Sequence, residues 1–385
     1  MPPATPTPVL RLTAGCLLSA ALCCLWSCTN HRHLPYEQGT EGYYTTPAHQ
    51  PMGFYDYDAP VPEAETYPIP VRQIDGYRVY GIRFPSSEYN GQRDNLVDAR
   101  YFESTSRSAE PKPLLIVMPI WATHTFPSTN LANGYALHSD GDAHVLWMQG
   151  DEPLFDWFAL GDITEESVFL EEIDRSVERF RAAAVDTRRL IDWAETRPEI
   201  DRNRIAIIGF SMSAMVAANV AGNDSRVHTA VYVVGGARPW DVMAECGVVV
   251  DYMRSHVKQN LGWSQEQFRE FFHRRLIFGD PARWRGRYRP ENTLIIEASD
   301  DDCMPRASRE ALWHATGRPE RILFPYNHWQ PFLAMTPVGG NVLTEDIFSF
   351  LDRKLFAGEN PGQANYHDGL LRRRTTRAAL QGAPD

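Results

Sequence analysis

The stretch Arg204-Ile205-Ala206-Ile207-Ile208-Gly209-Phe210-Ser211-Met212-Ser213-Ala214-Met215 passes from an apolar run, through a serine set two residues after a glycine, into a series of small side chains. That layout suits a strand, a tight turn and a helix, in which the serine hydroxyl is lifted clear of the sheet at a helix N-terminus. Such a turn is strained, and small residues two positions either side of the serine are what permit it. Gly209 and Ser211 match Gly-x-Ser-x-Gly, while Ser213 stands where the second glycine would be. Ser211 is therefore the candidate nucleophile, with Ser213, two residues further into the helix, as the alternative. The chemistry open to such a serine is acyl transfer, but only if a base removes its proton and an acid orients that base.

Both partners follow in the order Ser, Asp, His. After the apolar run 293–298 comes Ser299-Asp300-Asp301-Asp302-Cys303-Met304-Pro305. The spacing Asp, two residues, aliphatic, Pro aligns Asp301 with the orienting acid and puts Met304 in the aliphatic place, with Asp300 and Asp302 as alternatives of register. A solvated acidic loop is the competing reading, and a calcium loop is disfavoured because no glycine and distal glutamate complete it. After residues 321–324 comes Pro325-Tyr326-Asn327-His328-Trp329, in which His328 is the candidate base, although Asn327 replaces the usual preceding glycine. An oxyanion forming on the substrate would need two N–H donors. The backbone of Met212 supplies one, and the loop Pro119-Ile120-Trp121-Ala122-Thr123-His124 the other, through Trp121 or, as the alternative, Ile120. His124 in that loop is read as structural.

The elements that must position these residues are legible as short, continuously apolar runs at 114–118, 145–148, 205–209, 229–234 and 293–298, with a weaker one at 321–324. Strands covered on both faces read in this way. Helical spacing is found over 166–195, 212–221, 265–277 and 341–355, so strands alternate with helices and a mostly parallel sheet is predicted. Ahead of them, 71–74 and 77–84 alternate about Asp75-Gly76 and predict a β-hairpin. Residues 239–289 hold Trp240, Trp263, Phe268, Phe271, Phe272 and Trp284 and read as a helical cap inserted between two strands. These aromatics either line a covered site or pack the cap itself.

The run 190–201 (Leu-Ile-Asp-Trp-Ala-Glu-Thr-Arg-Pro-Glu-Ile-Asp), which leads into the serine turn, and Gly279-Asp280-Pro281 resemble the dienelactone-hydrolase and acetyl-xylan-esterase branch of the α/β-hydrolases. The resemblance covers roughly residues 110–355. It implies an α/β-hydrolase fold, with a mostly parallel central sheet, helices on both faces and a helical cap insertion. It also implies a carboxylic-ester hydrolase with Ser211, Asp301 and His328 as its triad, working without metal or organic cofactor. The loop after 114–118 departs from the common His-Gly form, which leaves acyl specificity open.

Composition narrows the setting. The chain has 385 residues, 43% of them hydrophobic, and 38 Lys+Arg against 49 Asp+Glu for a net charge of −11. No basic stripe interleaved with aromatics is present, so nucleic acid is not expected as a partner. Arg11 precedes an apolar run at 17–26 that is too short to span a bilayer and reads as a secretory signal. It ends in Leu25-Trp26-Ser27-Cys28, which resembles a lipobox, so Cys28 is the candidate lipidation site and a membrane anchor. The segment ending at Cys16 is a second, poorer match, and an ordinary secretory signal is the alternative. The expected organisation is a signal peptide over 1–27, a linker over 28–67, the hydrolase domain over 68–357 and a polar tail over 358–385. Of 6 cysteines only Cys246 and Cys303 fall in the folded part, so one disulfide is possible. His31 and His33 have no acidic or cysteine partner nearby in sequence and read as solvated linker residues, with no metal expected. Three functions compete: a cell-envelope esterase acting on small-molecule or polysaccharide esters, a peptidase of the same chemistry, and an inactive hydrolase fold used for binding. The oligomeric state is not readable.

Overall fold

A computed structural model describes residues 31–37, 53–58, 60–69, 74–86, 96–106, 110–120, 126–150, 153–247 and 249–356. The strands are β1 (Arg32–Leu34), β2 (Glu65–Tyr67), β3 (Tyr77–Pro85), β4 (Leu96–Ser104), β5 (Lys112–Val117), β6 (His144–Met148), β7 (Ile200–Phe210), β8 (Val227–Val233), β9 (Thr293–Ala298) and β10 (Glu320–Phe324). The helices are α1 (Ser128–Ser139), α2 (Trp157–Asp162), α3 (Glu166–Glu195), α4 (Met212–Asn223), α5 (Pro239–Glu245), α6 (Val249–Leu261), α7 (Gln265–Leu276), α8 (Arg306–Ala315), α9 (Gln330–Ala334) and α10 (Val342–Leu355).

The strands form one sheet in the order β1-β10-β9-β8-β7-β5-β6-β4-β3-β2. From β10 across to β6 every neighbour is parallel, and β4, β3, β2 and β1 add antiparallel flanks. Period-two alternation divides the core into two layers. Leu114, Ile116, Ile205 and Ile207 point to the face covered by α3, α4 and the inserted helices. Leu115, Val117, Ala206, Ile208 and Phe210 point to the face covered by α1, α9 and α10. Because both faces are covered, β5, β6 and β9 are buried along their whole length.

One expectation lies partly outside the described residues and another is revised. Asp75-Gly76 does make a turn, with Gly76 at φ +81° and its carbonyl accepting the N–H of Thr105 at 2.9 Å. Across that turn the Tyr77 N–H donates to the Ile74 carbonyl at 3.1 Å, while 71–73, the rest of the expected first arm, lie outside the described residues; β3 itself pairs with β4 and β2. The stretch read as a linker also contributes β1 and β2 to the two sheet edges. It further contributes Tyr55, buried against Trp284, and Tyr57, whose hydroxyl donates to Asp192 on α3 at 2.7 Å. Tyrosines with an apolar ring and a polar tip give this segment enough area to pack without helical or strand periodicity. Residues 1–30, including Cys28, and 357–385 lie outside the described residues. Among the described residues no helix is long and apolar enough to cross a membrane.

Candidate active site

Ser211 is the single residue between β7 and α4, and its backbone is left-handed at φ +52°, ψ −114°. A side chain rarely accepts this conformation, which costs on the order of 1–3 kcal/mol and has to be over-determined by its surroundings. The turn is held by the N–H of Ser211 donating to Val233 on β8 at 2.8 Å and by the N–H of Ala214 donating to the Ser211 carbonyl at 3.1 Å. Gly209 is required sterically, since a Cβ there would lie 2.3 Å from the backbone oxygen of Ser213. Ser213 is fully buried, and its Oγ accepts the Phe210 N–H at 2.7 Å and donates to the Phe210 carbonyl at 3.0 Å. The residue in the second glycine position thus closes the turn from inside, and its hydroxyl is turned to the backbone. The Ser211 Oγ faces the other way, 3.0 Å from Nε2 of His328.

The candidate base and acid come from the loops after β10 and β9. Beyond the paired strands, Ser299 and Asp300 donate their N–H groups to the carbonyls of Phe324 and Tyr326 at 2.7 and 3.0 Å. This extension of the ladder brings the two loops side by side. His328 is 3% exposed, and its Nδ1 lies 2.9 Å from both carboxylate oxygens of Asp301. A neutral imidazole in that position carries its proton on Nδ1 and offers the Nε2 lone pair to Ser211. Asp301 Oδ1 also accepts the N–H groups of Cys303 and Met304 at 2.8 and 2.6 Å, which fix the orientation of the carboxylate. The neighbouring acids do other things: Asp302 accepts the backbone N–H of His328 at 3.4 Å, and Asp300 is exposed. Asn327 needs no glycine conformation, because the positive φ falls on Tyr326 at +82°. The Asn327 side chain instead accepts the N–H of Trp329 at 3.1 Å.

The acid loop is braced by Arg309 and Glu297, which the sequence reading did not single out, and by the two cysteines that it did. Arg309 on α8 donates to the carbonyls of Ala298, Ser299 and Met304 at 2.7, 3.2 and 3.0 Å, spanning the loop's two ends. Beneath it lies Glu297, fully buried on β9 and paired with Arg321 at 2.6 Å. Burial pushes the Glu297 carboxyl upward, opposed by Arg321 and Arg309. A glutamate inside an apolar strand was the available signal, since a buried carboxylate demands a cationic partner. Cys246, at the end of α5, is disulfide-bonded to Cys303, and beside that bond Gly247 donates its N–H to the Asp302 carbonyl at 2.8 Å. Asp280 performs a similar task on the far side of the insertion, accepting the N–H of Arg238 at 2.8 Å and of Ala282 at 3.1 Å.

Met212 is the first residue of α4, adjoining Ser211, where backbone N–H groups have no partner within the helix. Trp121 and His124 lie outside the described residues, and Ile120 is half-buried in the loop after β5. That loop leaves the sheet beside the serine turn, with the Met118 N–H donating to the Ile208 carbonyl at 3.0 Å. In the insertion, Phe268, Phe271, Phe272 and Trp284 are buried, and Trp284 donates to Asn219 on α4 at 2.8 Å, so these four pack the core. Trp240 and Trp263 line a groove of about 960 Å³ with Glu166 and Leu170, to which the buried Phe271 also contributes, and none of Ser211, Asp301 and His328 reaches it. Three donors that could hold a metal ion converge at His31, His33 and Asp346, none of them part of the serine arrangement.

No protein-family model and no curated protein matches the sequence. Solved structures do match by shape. An acetyl xylan esterase from Paenibacillus sp. R4 superposes with a TM-score of 0.56 at 16% identity, over 77% of this chain and 90% of that one. Acetyl xylan esterase 1 from Thermoanaerobacterium sp. JW/SL YS485 gives 0.52 at 16% identity, over 75% and 88%. At such identity the likeness is one of architecture, and together with the parallel sheet covered on both faces it establishes that the chain has the α/β-hydrolase fold.

Proposed function

We propose that the protein is a serine hydrolase that cleaves carboxylic esters through an acyl-enzyme. The observation that carries this reading is the unbroken relay from a left-handed serine to an imidazole at 3.0 Å and from that imidazole to a carboxylate at 2.9 Å. In the first step His328 Nε2 takes the Ser211 proton while Oγ attacks the ester carbonyl, and Asp301 stabilises the imidazolium. The tetrahedral oxyanion is held by the N–H of Met212 and a second N–H from Trp121 or Ile120. His328 then returns its proton to the leaving alcohol, and water repeats the sequence on the acyl-enzyme to release the acid.

Two structures that share the fold are acetyl xylan esterases, so acetyl esters on small molecules or polysaccharides are the first substrates to try. No metal or organic cofactor enters the scheme, and nucleic acid has no place in it. The apolar run at 17–26 and Leu25-Trp26-Ser27-Cys28 support export, with lipidation at Cys28 and anchoring at the cell envelope. On this reading the signal spans 1–27, the domain 68–357 and the tail 358–385. The test is labelling by a fluorophosphonate probe, expected in the wild type and absent in Ser211→Ala, with turnover of p-nitrophenyl acetate but not of peptide anilides. Cleavage of anilides alone would make the protein a peptidase, and an unlabelled, folded wild type would make it a binding protein.

A further inference from the structure

We propose that His31, His33 and Asp346 form a binding site for one divalent cation of the zinc class, fastening the N-terminal strand to the last helix. The histidines are two residues apart on extended chain, a spacing that puts both side chains on one face. β1 pairs antiparallel with β10, His33 opposite Ile322, and this sets the His31 ring stacked on Phe324 at 5.3 Å with the planes 10° apart. The acidic partner that nearby sequence does not offer arrives from α10. Asp346 Oδ2 lies 2.8 Å from His31 Nε2 and 3.6 Å from His33 Nε2, and one donor atom from each residue falls within 4.8 Å of the other two.

Two features favour a cation over a plain ion pair. Asp346 Oδ2 is buried yet accepts no hydrogen bond among the described residues, despite two imidazole nitrogens beside it. A buried carboxylate oxygen in that condition is costly, and a cation seated among the three donors removes the cost. The spacing also fits: a tetrahedral centre with bonds of about 2.0–2.1 Å separates its donors by roughly 3.3 Å, between the two observed separations. Two imidazoles and one carboxylate suit zinc and its borderline neighbours, whereas magnesium and calcium prefer oxygen alone. His33 is 48% exposed, so a water can complete the coordination from that side.

The test uses the full chain, stripped with a chelator and titrated with zinc by calorimetry. One zinc per chain is expected, with the affinity lowered by at least about tenfold in His33→Ala and in Asp346→Asn. Cobalt in place of zinc should give the intense visible bands of a four-coordinate centre, and zinc should raise the thermal midpoint of the wild type but not of Asp346→Asn. His33 is exposed enough for its replacement to leave the fold intact, so a loss of binding there is not a loss of structure. Failure to bind zinc stoichiometrically, or binding unchanged in both variants, overturns the site and leaves Asp346 as a simple ion-pair partner of His31.

Discussion

Three consecutive aspartates offer one imidazole three possible partners, and the backbone decides among them. Asp301 accepts two N–H groups from its own loop and faces His328 Nδ1, whereas Asp302 reaches only the His328 backbone. Asp301→Asn is expected to lower kcat on p-nitrophenyl acetate by about 10³- to 10⁴-fold, because an amide N–H facing Nδ1 selects the wrong tautomer. Asp300→Asn should stay near wild type and Asp302→Asn within about tenfold. A larger loss in either than in Asp301→Asn would reassign the acid. Ser213 poses the opposite case, a hydroxyl two residues from Ser211 that serves structure. Ser213→Ala strands the buried Phe210 N–H, which should cost about 1–3 kcal/mol in urea unfolding while fluorophosphonate labelling of Ser211 persists. A folded Ser213→Ala that fails to label would give Ser213 a part in the chemistry.

Among the elements, the acid loop depends on a covalent tie to α5. Cys246 and Cys303 are 57 residues apart, and cross-links over loops of that length stabilise by roughly 2–4 kcal/mol, chiefly by restricting the unfolded chain. Because the Cys303 N–H also binds Asp301, Cys246→Ser with Cys303→Ser is expected to lower the thermal midpoint and to reduce kcat more than it raises KM. An unchanged kcat in the double variant would show that Arg309 alone positions the loop. β6 carries a second dependence, on pH. His144 Nδ1 accepts the Ser104 N–H at 3.1 Å and Nε2 meets the Glu199 carbonyl at 3.1 Å, so the ring is held neutral between β4 and the start of β7. Burial lowers its pKa below the ordinary 6.5. Stability linked to this group is therefore full above pH 6.5 and is lost as pH falls through the lowered value. The urea midpoint should drop on acidification in the wild type and drop less steeply in His144→Asn. Equal slopes would remove His144 from the account.

At the scale of the whole molecule, what was legible in the sequence follows from how each part is buried. β5, β6 and β9 are buried along their length, as is β7 over 205–210, so apolar residues dominate there, and α3 shows its inner stripe over the same residues, 166–195, that helical spacing marked. The flanks obey no such demand. β4 (Leu-Val-Asp-Ala-Arg-Tyr-Phe-Glu-Ser) buries Val97, Ala99 and Tyr101 on one face and carries Asp98 and Arg100 on the other, a period-two signal masked by its charges. The order Ser, Asp, His was readable because each follows a strand, and counting cysteines left Cys246 and Cys303 as the possible pair, whereas Arg309 and the meeting of His31 with Asp346 depend on contacts that no local pattern encodes.

The sheet's two outer strands are each three residues long, and each covers an edge that would otherwise present a row of unpaired N–H and C=O groups. β1 does this for β10, and Glu37 secures it by donating its N–H to the Arg318 carbonyl at 3.2 Å and pairing with the Arg318 guanidinium at 2.8 Å. A chain beginning at residue 38 loses β1, the Phe324 stack and both Arg318 contacts together, leaving β10 as an open parallel edge. Such an edge templates pairing with a second copy, so the shortened chain should form larger species by light scattering at concentrations where a chain beginning at residue 29 does not. Ser211 should still label in whatever fraction stays dispersed, since the serine turn rests on β8 and β7, two and three strands in from that edge. An identical size for the two chains would mean that β10 needs no cover, and that the N-terminal segment is held to the sheet for another reason.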